Sequence, residues 1–220
     1  MRIGIIGAGN IGTALTRRLR QLGHEVAVAN SRDPQTLADL ARETGARAVT
    51  AAEAPRGAQL VVVTIPEKAV PELPDDLLAE AAPGAVVVDT GNYYPSRDGR
   101  IDAIEDGTAE SRWVADQLGR PVVKAFNTIE STHLEGFGKP AGAPGRIALP
   151  VAGDDAAAKR LVLDLVDELG FDPVDAGGLD DSWRQQPGTP VYGADRDAEG
   201  TRTALAAAVP GRPAAWSADA

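Results

Sequence analysis

The chain has no cysteine, which excludes disulfides, thiol nucleophiles and zinc–thiolate centres. His24 and His133 are its 2 histidines, and neither stands in a recognisable catalytic dyad. No serine occupies a G-x-S-x-G elbow, so Ser111, Ser131 and Ser182 give no support to a hydrolase. No apolar run approaches the roughly 18 residues of a membrane span. The first apolar stretch is short and runs into glycines, so it reads as a strand rather than a signal peptide, and a cytoplasmic location is expected. Basic residues are in deficit: 22 Lys+Arg against 32 Asp+Glu give a formal charge of −10. That balance argues against nucleic acid or an anionic membrane as partner.

At 220 residues and 43% hydrophobic, the chain suits one large domain or one domain with an appendage. Short β-branched runs alternate with helical stretches, which predicts an α/β, doubly wound, mostly parallel sheet. The expected strands are residues 2–6, 25–30, 47–50, 59–65, 85–89, 121–126, 147–151 and 171–174. Helices are expected near 11–22, 34–43, 66–81, 108–118, 155–169 and 198–208. Asp33-Pro34 reads as an N-cap with proline at N1, and Thr50-Ala-Ala-Glu53 as the capping box of a short helix. From Ser182 the composition shifts to Gly, Pro, Gln and Asp. Residues 1–181 are therefore taken as the main domain, and 182–220 as a C-terminal extension packed on it with a flexible end.

Gly7, Gly9 and Gly12 fit G-x-G-x-x-G between the first strand and the first helix. In that setting the motif places a dinucleotide pyrophosphate on a helix N-terminus. Gly7 permits the sharp exit from the strand, Gly9 lets the backbone approach the phosphates, and Gly12 lets helix and strand pack closely. The alternative is a tight βα turn that binds nothing. About 20 residues on, where an NAD protein carries an acid for the ribose hydroxyls, the chain reads Asn30-Ser31-Arg32. A hydroxyl and a guanidinium suit a 2′-phosphate, so NADP is expected. The competing readings are a solvated Arg32, or Asp33 serving as the ribose acid.

Three further segments end strands on the side where ligands bind in open α/β sheets: Thr64-Ile65-Pro66, Asp89–Tyr94 with Asn92, and Lys124–Ile129 with Asn127. Small and polar groups there could flank a nicotinamide and orient its amide. His133 and Glu130 follow the last segment and are weak candidates for acid–base work. The Asp154-Asp155 and Asp180-Asp181 pairs fit helix-cap and turn roles better than a metal site, so no metal is expected.

Together these segments resemble the NADPH-dependent F420 reductase (F420H2:NADP oxidoreductase) family and the related oxidoreductase domain of the STEAP metalloreductases. The matching pieces are Gly7-Ala-Gly-Asn-Ile-Gly12, Asn30-Ser-Arg32, Val63-Thr-Ile-Pro66, Lys124-Ala-Phe-Asn-Thr-Ile129, Val151-Ala-Gly-Asp154 and Pro173-Val-Asp-Ala-Gly177. The resemblance implies a Rossmann-like fold and hydride transfer between NADP(H) and a flavin-like ring, either coenzyme F420 or a flavin. It implies that Gly9, Asn10, Ile11 and Gly12 contact phosphate, and that Ser31 and Arg32 hold the 2′-phosphate. Ile65, Pro66 and Asn127 would border the nicotinamide, with Thr128 and Ile129 approaching the acceptor ring. The chain departs from the family pattern in reading Asn127-Thr-Ile-Glu130 where F420 reductases keep His-Thr-Ile-Pro. The expected partner is a small-molecule redox co-substrate. Two alternatives stand beside F420 reduction: an NADPH-dependent flavin, ferric, carbonyl or imine reductase, and a non-catalytic NADPH-sensing module. A homodimer through the C-terminal segment is compatible with the sequence, which does not determine it.

Overall fold

The computed structural model describes residues 1–218; Asp219 and Ala220 lie outside the described residues. Six strands form one parallel sheet: β1 (Arg2–Ile6), β2 (Glu25–Ala29), β3 (Arg47–Ala48), β4 (Leu60–Val63), β5 (Val86–Asp89) and β6 (Val123–Lys124). Their spatial order is β3-β2-β1-β4-β5-β6, the Rossmann order, with the switch point between β1 and β4. A second parallel pair, β7 (Ala148–Val151) and β8 (Asp172–Asp175), continues the sheet through one antiparallel bridge between Lys124 and Ala152.

The helices are α1 (Asn10–Gln21), α2 (Ala38–Thr44), α3 (Pro95–Asp98), α4 (Asp102–Glu105), α5 (Glu110–Leu118), α6 (Ser131–Gly136), α7 (Ala156–Glu168) and α8 (Ala198–Ala206). The β4 sequence Leu60-Val-Val-Val63 is buried throughout, as expected of a central strand covered on both faces. Leu60 and Val62 join Ile3, Ile5, Leu15 and Leu19 in one core layer. Val61 and Val63 join Ile6, Val87 and Leu77 in the other. The α1 helix buries Ala14, Leu15 and Leu19 and carries Arg18 and Arg20 in its last turn, where they oppose the helix dipole. Asp155 caps α7 by accepting the Ala158 N–H at 2.8 Å. No helix among the described residues is long and apolar enough to cross a membrane.

Several boundaries differ from expectation. The helix expected over 66–81 is a 3₁₀ stretch, Glu67–Glu72, followed by turns. Pro71 and Pro74 explain this, since each removes a donor and clashes with the preceding turn. The 34–43 helix opens as a 3₁₀ turn, Pro34–Leu37, capped by Asp33. Thr50–Glu53 closes a turn rather than a helix: the Glu53 carboxylate accepts both the N–H and the hydroxyl of Thr50. Strand β6 keeps only two of its six expected residues, because Phe126 takes a left-handed φ of 62° and turns the chain away. Up to Ala218 the extension packs back on the body through Trp216 and Ala218; the very end, expected to be flexible, lies outside the described residues.

If β4 packs on both faces as described, Leu60→Ala should cost about 2–5 kcal/mol of folding stability. Urea denaturation would show this as a lower midpoint at unchanged slope. A loss below about 0.5 kcal/mol, the scale of an exposed site, would contradict the burial.

Candidate functional site

The three glycines have different structural reasons. A Cβ on Gly7 would lie 2.1 Å from the Thr64 carbonyl oxygen, and its φ is +115°. A Cβ on Gly12 would lie 1.9 Å from the Gly7 carbonyl oxygen. These two glycines let β1, α1 and the end of β4 meet backbone to backbone. At Gly9 an added Cβ would meet nothing within 4 Å. The fold leaves space over Gly9, where close approach of a pyrophosphate would require a bare backbone. Gly9 offers no side-chain cap, and no acid stands in the first turn of α1. Thr13 is the first residue whose N–H finds the Gly9 carbonyl, at 2.9 Å. The N–H groups of Asn10, Ile11 and Gly12 precede it and have no acceptor in the helix, so they suit an anion.

At the end of β2, the Asn30 side chain accepts the Arg32 N–H at 2.9 Å and donates to the Thr36 hydroxyl at 2.9 Å. Asp33 accepts the Gln35 N–H at 2.8 Å, so its carboxylate serves as a cap, as one of the sequence readings expected. Ser31 and Arg32 are exposed. Thr64, Ile65 and Pro66 are half-buried beside Gly7, at the carboxyl end of β4.

The floor of the crevice between β5 and β6 is a buried charge cluster. Lys124 Nζ donates to Asp89 Oδ2 at 3.0 Å and to the Gly91 carbonyl at 2.5 Å. Asp89 also accepts from Ser111 Oγ at 2.6 Å and from the Gly91 N–H at 2.8 Å. Burial alone would lower the Lys124 pKa, but Asp89, Glu110 and Glu67 outweigh it and hold the ammonium above its usual value. Glu67, directly after Pro66, is fully buried. Its Oε2 accepts from Arg97 Nη2 at 3.2 Å, and its Oε1 has no partner. Burial, then the neighbouring Asp89 and Glu110, push Glu67 well above the usual carboxylate range, against the pull of Lys124. Arg97 Nη2 also donates to the Asn92 carbonyl at 2.6 Å, so the cluster grips the loop that carries Asn92.

Asn92 and Asn127 meet side chain to side chain. Asn127 Nδ2 donates to Asn92 Oδ1 at 3.0 Å, and Asn92 Nδ2 donates to the Asn127 carbonyl at 3.0 Å. Asn92 is half-buried, whereas Asn127 is enclosed and further bonded to Gln185 of the extension. Thr128 and Ile129 are also enclosed. The Thr128 carbonyl accepts the Gly193 N–H at 3.0 Å, and Ile129 lies in the main core. The extension thus covers the segment expected to face an acceptor ring. It is held there by a hydroxyl contact between Tyr94 and Tyr192, and Trp216 lies 5.9 Å from both rings.

The two acid–base candidates lie apart from this arrangement. His133 Nδ1 is 2.7 Å from Asp195 Oδ2, and its ring stacks on Phe137. Glu130 is exposed at the start of α6. The paired aspartates face an arginine: Arg112 binds Asp154 at 2.7 Å and Asp180 at 2.6 Å. Sequence reasoning missed Lys124, Glu67, Arg97 and Gln185. Lysine inside the apolar run Val122–Phe126 was the available signal for the first, but the others carry no local mark of burial.

A raised Glu67 pKa means that the folded chain holds this proton more tightly than the unfolded one. The resulting stability is fully present below the ordinary glutamate value of 4.5 and is lost as pH rises through the folded value. Glu110, raised mainly by burial, contributes with the same sign. Glu67→Gln should therefore flatten the decline of the urea midpoint above about pH 4.5; identical slopes in both proteins would exclude Glu67 as a source. Gly9→Ala should change stability by less than about 1 kcal/mol yet weaken NADPH binding at least about tenfold. Gly12→Ala should cost at least about 2 kcal/mol of stability. Thermal melting and cofactor titration of the two variants test the division of roles among these glycines.

Residues 2–93 match the model of the family described as NADP oxidoreductase, coenzyme F420-dependent. A solved hypothetical protein from Sinorhizobium meliloti is 30% identical, with 89% of this chain and 95% of that one aligned at a TM-score of 0.75. A structure from Arthrobacter sp. FB24, provisionally named an F420-dependent NADP reductase, is 27% identical. That alignment covers 81% of this chain and 86% of the other, with a TM-score of 0.63. The Escherichia coli K12 protein YjhV is 51% identical over 59 residues, a stretch spanning 27% of this chain and 43% of that protein. The glycine loop, the switch-point strands and the Asn92 loop all fall within the matched residues: over residues 2–93 the chain resembles the coenzyme F420-dependent NADP oxidoreductase family.

Proposed function

We propose that the protein is an NADP(H)-dependent oxidoreductase that passes hydride between NADPH and a flat-ring carrier, with coenzyme F420 as the carrier the matched family indicates. One observation carries the cofactor half of this reading: the space above Gly9, which nothing among the described residues fills. Gly9, Asn10, Ile11 and Gly12 would hold the pyrophosphate on the N-terminus of α1. Ser31 and Arg32, exposed and clear of the Asp33 cap, would hold the 2′-phosphate. Thr64, Ile65 and Pro66 would wall the nicotinamide, with Asn92 at its polar edge.

When bound, the dihydronicotinamide supplies the hydride. What the protein must add is alignment and exclusion of water, more than a strong acid or base. That suits a crevice whose ionisable groups are buried beneath it, in the Lys124–Asp89 cluster. A second reading keeps NADPH and changes the acceptor to a flavin or another small oxidant. It is favoured by the enclosure of Thr128 and Ile129 under the extension and by Glu130 in place of the family proline. A third, a non-catalytic NADPH sensor, draws on the same enclosure.

Loss of a hydrogen bond to a charged group costs about 1.5–3 kcal/mol. Arg32→Ala should therefore weaken NADPH binding about 10- to 150-fold and leave NADH binding little changed; equal losses would remove the 2′-phosphate role. Incubation with NADPH plus F420, FMN, FAD or a ferric chelate, followed by nicotinamide absorbance, separates the acceptors. Turnover with F420 alone supports the first reading, and turnover with flavin but not F420 the second. Tight NADPH binding without turnover on any acceptor supports the sensor.

A further inference from the structure

The extension places one side chain at the centre of the crevice. Gln185 is fully buried at the end of the 3₁₀ stretch Leu179–Gln185. Its Nε2 donates to Asn127 Oδ1 at 2.9 Å, and its main-chain carbonyl accepts from Asn127 Nδ2 at 2.7 Å. Asn127 Nδ2 gives its other hydrogen to Asn92 Oδ1 at 3.0 Å. Asn92 Nδ2 closes the chain of contacts on the Asn127 main-chain carbonyl, also at 3.0 Å.

Two of these acceptors are main-chain carbonyls, which cannot exchange donor for acceptor as a carboxamide can by flipping. The Gln185 carbonyl fixes the nitrogen end of Asn127, and the Asn127 carbonyl fixes the nitrogen end of Asn92. Asn127 then has both hydrogens committed. Asn92, half-buried at the carboxyl end of β5, keeps one N–H and one acceptor lone pair. One donor beside one acceptor is the complement of a primary carboxamide. Among the described residues Gln185 Oε1 has no hydrogen-bond partner, and the bond its side chain makes goes to Asn127.

We propose that Gln185 is a positioning residue for the cofactor: through Asn127 it sets the Asn92 carboxamide in the one orientation that reads the carboxamide of nicotinamide. This rests on the NADP reading above. It makes the C-terminal extension, which lies beyond the residues matched by the family model, part of the cofactor's selectivity.

The test compares binding of three probes by calorimetry: NADP⁺, its 3-acetylpyridine analogue, which lacks the amide N–H donors, and adenosine 2′,5′-bisphosphate, which lacks the nicotinamide. Wild type should prefer NADP⁺ over the acetylpyridine analogue by about 2- to 12-fold, the worth of one hydrogen bond. Gln185→Leu keeps the main-chain carbonyl but removes the Nε2 donor that pins Asn127 Oδ1, so it should lower that preference toward one and leave the bisphosphate affinity unchanged. Gln185→Glu keeps the shape but replaces the Nε2 donor, and should behave in the same way; it serves if the leucine variant does not fold. Preference retained in a folded variant, no preference in wild type, or equal losses for all three probes would overturn the positioning role. Wild type that binds neither NADP⁺ nor the bisphosphate would instead overturn the NADP reading itself.

Discussion

The buried pair of Lys124 and Asp89 fixes the β5–β6 side of the crevice. It joins the ends of β5 and β6, takes in Ser111 at the start of α5, and locks Gly91 by both its N–H and its carbonyl. Burying such a pair gains little net stability, since desolvation offsets most of the attraction. Removing one partner would strand the other, at about 3–5 kcal/mol. The cluster therefore acts as a constraint on shape more than as a source of stability. Asn92 follows Gly91 directly, and Arg97, itself tied to Glu67 and Asp98, grips the Asn92 carbonyl.

The β1–α1 side is governed by a different constraint, the distance between backbones. Gly7, Gly12 and Thr64 approach so closely that only hydrogen fits where a Cβ would stand. This sets α1 against the switch point and aims its free N–H groups along the crevice. The two sides are bridged by the extension. Gln185 holds Asn127, Gly193 holds the Thr128 carbonyl, and Arg212 reaches Glu110 at 2.6 Å beneath Tyr93. A segment that reads as a polar appendage is thus the third wall of the site.

What could be read in advance was local. The glycine loop joins a strand to the next helix, so its steric needs are written within a few residues. The same holds for the caps at Asp33 and Asp155, whose partners are two and three residues away. The stretch 66–81 has apolar spacing that suits a helix, but Pro71 and Pro74 override it and leave a 3₁₀ stretch and turns. The enclosure of Thr128 and Ile129, expected to approach an acceptor ring, had no local mark for another reason: what covers Thr128 arrives from residue 193.

The sequence by itself determined the parallel α/β order of elements, the glycine-rich turn after β1 and the presence of Asn30 at the position where an NAD protein carries an acid, because each depends on neighbours along the chain. Only the tertiary structure decided that Glu67, Glu110 and Lys124 are buried together, that Phe126 turns through a left-handed conformation, and that Gln185 hydrogen-bonds Asn127. The Asn127–Gln185 contact spans 58 positions. A hydrogen bond over that separation exists only once the sheet has set β5, β6 and the extension side by side, and no spacing rule along the chain encodes it.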